Sequence, residues 1–480
     1  MTSIKRNFGY NIFLTLASYL VSFVLFPYVS RVLGVDNVGR IGFVNNVVSY
    51  FSLFAILGIK TLGVREIAAC QTREQRSEVF SSLTGFLLIS TVFLTTIFLC
   101  CIWLVPRFHA DKECFIIGAS ILFFTSFLIE WFYQGLENFK FITIRSIVVR
   151  IIYAISVFIF VQGKDDYLLY YALTAGSIIV NAIINFIYSK KFADFSIRNI
   201  HFRKYLNPIF SLGLYGIMIS MYTTFNTIFL GFKCSETQVG FYYTATKLYM
   251  IIIGVFSAFT GVMMPRMSSL IARNGNREFH NKIKNSFDVV LSSSIPIALF
   301  FMVLAPQTIM VISGSGYEGS ITPMRIIMPT LVLSSMAQIW VIQALIPLKK
   351  DKIVLWSSVL GAISGVVLNI ILVEKYGAIG TAIVMLSCEV LGNVIGFCYA
   401  IYHRLIQFPW KGVIIYAIGS IPYLLCFLLI SLLFKSSIIV LILSAFIGGL
   451  YFMVFHLFIY KTSFVSQYSR QMISRILNAF

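Results

Sequence analysis

RVLGVDNVGRIGF, residues 31–43, holds a short polar interruption at 31–37 between two apolar runs, roughly 8–30 and 38–58. Each run is near the roughly 20 residues a helix needs to cross a bilayer core. The pattern continues along the chain with runs at 80–106, 114–134, 142–162, 166–189, 206–232, 237–264, 286–313, 321–347, 351–373, 377–402, 411–434 and 437–460. Hydrophobic residues make up 59% of the 480, charged residues 11%, and mean hydropathy is +0.89. Soluble domains are about half apolar and about a quarter charged. The expected fold class is therefore an all-α polytopic membrane protein of about fourteen transmembrane helices. Short links at 31–37, 163–165, 232–236, 348–350 and 374–376 read as tight hairpins. The first apolar run is too long for a cleavable signal and lacks a small-residue cleavage site.

Basic residues crowd alternate connections. One side holds Lys5 and Arg6, then Lys60, Arg65, Arg73 and Arg76, then Lys190, Lys191, Arg198, Arg203 and Lys204, and continues to Arg404, Lys411, Lys461, Arg470 and Arg475. The opposite side holds few, among them Arg31, Arg40, Arg107, Lys112 and Lys164. By the positive-inside bias, both termini are expected in the cytoplasm. The formal net charge of +19 then needs no nucleic-acid partner, because that bias and anionic headgroups account for it. The opposite loops are too short for a catalytic domain, and no clustered acid/base set stands out, so an enzyme is not expected. The eight cysteines and five histidines show no metal-ligand spacing, and no metal site is read.

The opening stretch recurs. IFLGFKCSETQVGFYY, residues 228–243, aligns Val239-Gly240 with Val38-Gly39 at an offset of 201, and Arg266 falls on Arg65 at the same offset. An even number of helices separates the copies, so they share orientation. That is a parallel repeat about an axis along the membrane normal. It divides the chain into six-helix lobes at 1–200 and 201–405 around a central cavity. Helices 13 and 14 and a cytoplasmic tail, 406–480, stand as an addition. Chance likeness of Leu-Gly and Val-Gly pairs is the plainer alternative.

Polar residues inside the spans concentrate in the repeat-related helix pairs: Asn11, Thr15, Ser18 and Ser22; Asn45, Asn46, Ser49 and Ser52; Tyr222, Thr223 and Asn226; Thr244, Thr246 and Lys247. Singly, such residues join helices to one another; as a group they suit a wet cavity. Lys247 lies about ten residues into its helix, or about 15 Å deep at 1.5 Å per residue, and matches Asn46 at the repeat offset. It reads as a cavity-lining group facing an anion, or as half of an ion pair with another helix. Arg145 is expected to face Glu130 as a structural ion pair, whereas Arg150, deeper and without an evident partner, is the better candidate for cargo. Arg31 and Arg40 either reach headgroups or line the mouth of the cleft. Glu389, the deepest acid, with Asn393 one turn on, is a candidate for binding H⁺ or Na⁺ and coupling its gradient.

Several segments resemble the polysaccharide transporter family: PYVSRVLGVDNVGRIGF at 27–43, LGIKTLGVREIA at 57–68, EWFYQGLENFKFITIRSIVVRII at 130–152, GFYYTATKLYMI at 240–251, MMPRMS at 263–268 and VEKYGAIGTA at 373–382. The likeness is to O-antigen flippases of the Wzx type, within the multidrug/oligosaccharidyl-lipid/polysaccharide exporter superfamily. It implies two lobes, alternating access, a bacterial inner-membrane location, and an undecaprenyl-diphosphate-linked oligosaccharide moved from the cytoplasmic to the periplasmic leaflet. It further implies membrane lipids, a polysaccharide polymerase and a chain-length regulator as partners, and no cofactor beyond a coupling H⁺ or Na⁺. On this reading Lys247, Arg150, Arg31, Asn46, Asn45 and Asn226 bind the cargo. A lipid II flippase and a cation-coupled drug antiporter are the alternatives within the fold. The antiporter would want acids in the spans, where bases prevail.

Overall fold

A computed structural model describes residues 2–196, 200–273, 275–461, 463–464 and 466–467. Arg198, Arg470 and Arg475 lie outside them, as do the side chains of Lys5, Arg6, Asn11, Tyr222 and Thr223. Among the described residues all regular structure is helical, and 11 helices are long and apolar enough to cross a membrane. Two of them turn midway. Thr2–Ile56 leaves helical geometry at Gly34 (φ 76°, ψ 168°), and Asp351–Tyr402 does so at Gly377 (φ 53°, ψ −128°). Each therefore carries two of the expected spans.

The expected link at 31–37 is corrected by this geometry. Gly34, lacking a Cβ, takes a positive φ that other residues avoid, so one residue does the work of a loop. Helix resumes at once, and Asn37 Nδ2 donates to Leu33 O (3.2 Å) and Lys164 O (2.8 Å) across the turn. The link expected at 374–376 likewise contracts to Gly377. Other expected spans prove longer: Arg73–Leu104 begins before residue 80, Asn276–Val303 before 286, and Glu236–Ala272 runs past 264. Arg73–Leu104 starts where it does because Thr72 and Gln75 form a capping box, Thr72 Oγ1 accepting from Gln75 N and Gln75 Oε1 from Thr72 N, which satisfies two otherwise orphaned donors.

The chain forms two compact units, residues 1–243 and 244–480, with the boundary inside helix Glu236–Ala272. The first unit is centred on Ile59, Leu62, Phe80, Leu83, Trp131, Phe132, Tyr133 and Ile209, all nearly inaccessible. Asp194, Ser196 and His201 are held by a serine row: Ser77 Oγ accepts from Asp194 N (2.9 Å), Ser81 Oγ from Ser196 N (3.0 Å) and Ser82 Oγ from His201 N (3.0 Å). Lys204 Nζ stands 2.7 Å from Glu78 Oε1, and that carboxylate holds the Lys204 ammonium above its ordinary pKa.

In the second unit, the last helices pack on what precedes them through Leu304, Tyr423, Phe427, Ile430 and Val440. Tyr416 donates to Asp288 Oδ1 at 2.5 Å. The opposite faces of these helices leave large apolar side chains uncovered, such as Leu432 (82%) and Leu433 (74%). A surface that apolar belongs in lipid.

Candidate functional site

The 31–43 and 228–243 stretches meet inside the first unit. Thr237 Oγ1 donates to Asp36 Oδ1 at 2.6 Å, and the two residues are separated by 201 positions. Gly39 lies against the Glu236 carbonyl and Gly240 against the Val35 carbonyl; a Cβ built on either glycine would come within 2.0 and 2.3 Å of those oxygens. Val35 and Glu236 are again 201 apart. The contact is thus reciprocal: each residue meets the counterpart of the residue that meets its own counterpart. Reciprocity of this kind is what a two-fold relation produces. Only residues without a side chain let two helices approach so closely.

Charges ring this crossing. Arg107 Nη1 is 2.6 Å from Glu236 Oε1 and 3.7 Å from Asp111 Oδ2, while its Nε donates to Gly231 O (2.9 Å). Arg40 Nε is 2.7 Å from Asp111 Oδ1. Both guanidiniums lie over aromatic rings at 5.1 Å, Arg40 over Tyr167 and Arg107 over Phe43. Burial pushes the Asp111 carboxyl above the usual carboxylate range, against the pull of Arg40 and Arg107.

Deeper in the same unit, Arg145 Nη2 stands 2.8 Å from Glu130 Oε1 and donates to Ser146 Oγ (2.7 Å), and Nη1 donates to Asn185 Oδ1. Tyr133 donates to Asn185 O, and Asn185 Nδ2 to Leu128 O. Asn185 is thus the hub, and sequence reasoning missed it because a lone Asn carries no pairing signal. Arg150 is half-buried and makes neither hydrogen bond nor ion pair among the described residues; Glu130 and Tyr153 act on it electrostatically. Asn45 and Asn46 are half-buried, and Asn46 Nδ2 donates to Gly42 O (2.7 Å). Asn226 is fully buried, and Arg31 is exposed.

In the second unit Lys247 is half-buried. So is Glu389, whose carboxylate accepts from Asn393 Nδ2 (3.0 Å) and is reached by the Ser334 hydroxyl. Tyr249 in turn donates to Ser334 Oγ (2.9 Å). Ser334 and Tyr249 are additions to the sequence-based set. A separate apolar groove of about 360 Å³ runs between helix Asn276–Val303 and the last helices, lined by Pro296, Phe300, Phe427, Gly448 and Phe452 among others. Among the described residues no group of three or more His, Cys, Asp and Glu is placed to hold a metal.

Helices broken at single residues, charged groups within apolar spans, and a broad apolar outer surface together define a multi-span membrane protein. The fold is shared over 95% of this chain, and 98% of the other, with a structure described as "Lipid II flippase MurJ, inward closed conformation", at TM-score 0.78 and 15% identity. It is shared more loosely with an inward-facing multidrug resistance MATE family transporter of the MOP superfamily, at TM-score 0.59 and 16% identity over 82% of this chain and 94% of that one.

The polysaccharide biosynthesis protein family matches residues 4–271, and the chain belongs to that family. It is 26% identical over 402 residues to the "Putative O-antigen transporter" of Escherichia coli (strain K12), covering 81% of this chain and 94% of that protein. It is 21% identical over 226 residues, 46% of each chain, to the "Probable low-salt glycan biosynthesis flippase Agl15" of Haloferax volcanii.

Proposed function

We propose that this protein is a flippase carrying polyprenyl-diphosphate-linked oligosaccharide repeat units across the bacterial inner membrane, from the cytoplasmic to the periplasmic leaflet, by alternating access. The single observation that carries this reading is the likeness to an O-antigen transporter over 94% of that protein's length.

The chemistry agrees. An unaided diphosphate head meets a prohibitive desolvation barrier in hydrocarbon. Lys247 and Arg150 offer charge-assisted hydrogen bonds to its oxygens. Polar side chains such as Asn45 and Asn46 serve the sugars, Glu389 with Asn393 and Ser334 serves a coupling H⁺ or Na⁺, and the apolar groove along helix Asn276–Val303 suits a polyprenyl tail. No covalent bond is made. On this reading the chain crosses the membrane about fourteen times with both termini in the cytoplasm, and the Gly39–Gly240 crossing is the periplasmic closure. A lipid II cargo is the second reading, favoured by the shared fold with a lipid II flippase.

Loss of the gene tests the proposal. Cytoplasm-facing lipid-linked repeat units should accumulate while surface polysaccharide disappears. An intact surface glycan would overturn it, and arrest of cell-wall synthesis with a normal surface glycan would favour lipid II.

A further inference from the structure

We propose that the groove between helices Phe139–Phe160 and Tyr167–Ser189 is a site for one anionic phospholipid, with its phosphate at Lys140 and an acyl chain laid along Ile144 and Val148. The two helices run antiparallel. Near the start of the first and the end of the second, the Phe141 and Tyr188 rings stack with centroids 4.0 Å apart and planes at 19°. Further along, Tyr153 and Thr174 share a hydrogen bond at 3.0 Å. A groove of about 490 Å³ opens beside the stack, and both stacked rings belong to its lining.

The lining changes character along its length. Asn138, Lys140 and Tyr188 bring polar groups to one end. From there Lys140, Ile144 and Val148 follow at steps of four and share a helix face. Ile144 (51%), Val148 (49%) and Ile184 (37%) stand exposed along the groove. Lys140 to Val148 spans about 12 Å at 1.5 Å per residue, against the roughly 15 Å of hydrocarbon in one leaflet.

Charge at the polar end is uncompensated. Among the described residues no acid lines the groove. Arg145 lines it too, but its charge is met by Glu130, at 2.8 Å, which opens the helix after the left-handed break at Ile129 (φ 35°). Asp194 is held by Arg73 at 3.1 Å. Lys140, Lys190 and Lys191 have no ion-pair partner among the described residues, and Lys191 Nζ lies 5.9 Å from the centre of the Tyr188 ring. This end therefore favours an anion. On the proposed topology it faces the cytoplasm, where basic pockets between transmembrane helices hold anionic headgroups. The lipid-linked cargo carries the same phosphate chemistry, but its sugars need polar partners, and beyond Arg145 the lining is hydrocarbon. A molecule with one charged end and an apolar remainder is what fits.

The inference does not depend on what the chain carries. The full chain is released from nanodiscs of mixed phosphatidylcholine and phosphatidylglycerol and weighed by native mass spectrometry. One phosphatidylglycerol should stay bound in preference to phosphatidylcholine. Lys140→Ala should weaken that retention about fivefold, the worth of one lysine beside an anionic surface, and Lys140→Arg should keep it. Val148→Trp, which fills the groove from an exposed position without altering any charge, should expel the lipid. Lys284→Ala, at an exposed lysine outside the groove, should change nothing. Retention that ignores the headgroup, equal losses in Lys140→Ala and Lys284→Ala, or undiminished retention in Val148→Trp would overturn the site and leave an unselective lipid shell. Replacement of the phosphatidylglycerol by undecaprenyl diphosphate, supplied in equal amount, would overturn it as well, since the groove would then belong to the cargo.

Discussion

Two regions of the molecule treat charge in opposite ways. At the Gly39–Gly240 crossing most charges meet opposite ones: Arg40 meets Asp111, and Arg107 meets Asp111 and Glu236, while Asp36 is held by the Thr237 hydroxyl. At the Arg150 and Glu389 positions, neither group has an ion-pair partner among the described residues, and Glu389 is served by the neutral Asn393 and Ser334. Paired charges hold a contact together. Unpaired, half-buried charges in apolar helices are expensive and persist where something that comes and goes completes them. Under the proposed function the crossing is a closure, and Arg150 and Glu389 are separate candidates to meet cargo and coupling ion.

The contrast is broken most severely by locking the crossing. Asp36→Cys with Thr237→Cys, placed where the native oxygens are 2.6 Å apart, should give a disulfide that abolishes polysaccharide export and full recovery on reduction. Export that continues in the cross-linked protein would show that the crossing never opens.

Next in size is Gly240→Val, since even a Cβ there would meet the Val35 carbonyl at 2.3 Å. The overpacking should cost about 1–3 kcal/mol, read as a lower melting temperature in detergent. Arg107→Ala removes charge-assisted bonds to Glu236 and Gly231, and should cost about 1.5–3 kcal/mol. Asp111→Asn should cost clearly less. Burial works against the Asp111 carboxylate and offsets part of the pull of Arg40 and Arg107, so a neutral side chain of the same shape gives up less. Equal melting shifts for these two variants would erase the distinction between the two carboxylate partners of Arg107. Smallest in stability, but telling for function, is Glu389→Gln, which should leave the melting temperature nearly unchanged while weakening the dependence of transport on an ion gradient. Retention of full gradient dependence would remove Glu389 from coupling.

Much of the architecture was legible because apolar runs of bilayer length leave few alternatives. The Glu130–Arg145 contact was legible too, since a short connection forces the two spans to neighbour each other. The turn at Gly34 was only half legible. Gly marks the place, but the neighbouring Arg31, Asp36 and Asn37 suggested a longer loop, and the Asn37 bond to Lys164 O that lets helix resume depends on a distant residue.

The break at Ile129 was illegible. No Gly or Pro occupies 126–129, and the left-handed residue is held by packing and by the Asn185 bond to Leu128 O. Similarly, the offset of 201 linked the two stretches, but nothing in either one announced that they touch. Close approach is a property of the pair of glycines, not of either one.

The most direct measurement is transport by the purified protein in proteoliposomes, following the passage of an undecaprenyl-diphosphate-linked oligosaccharide between leaflets for wild type, Lys247→Arg and Lys247→Ala. The account predicts full, partial and no passage in that order, with all three proteins folded and inserted alike. Passage by Lys247→Ala at the wild-type rate would contradict a positively charged route for the diphosphate.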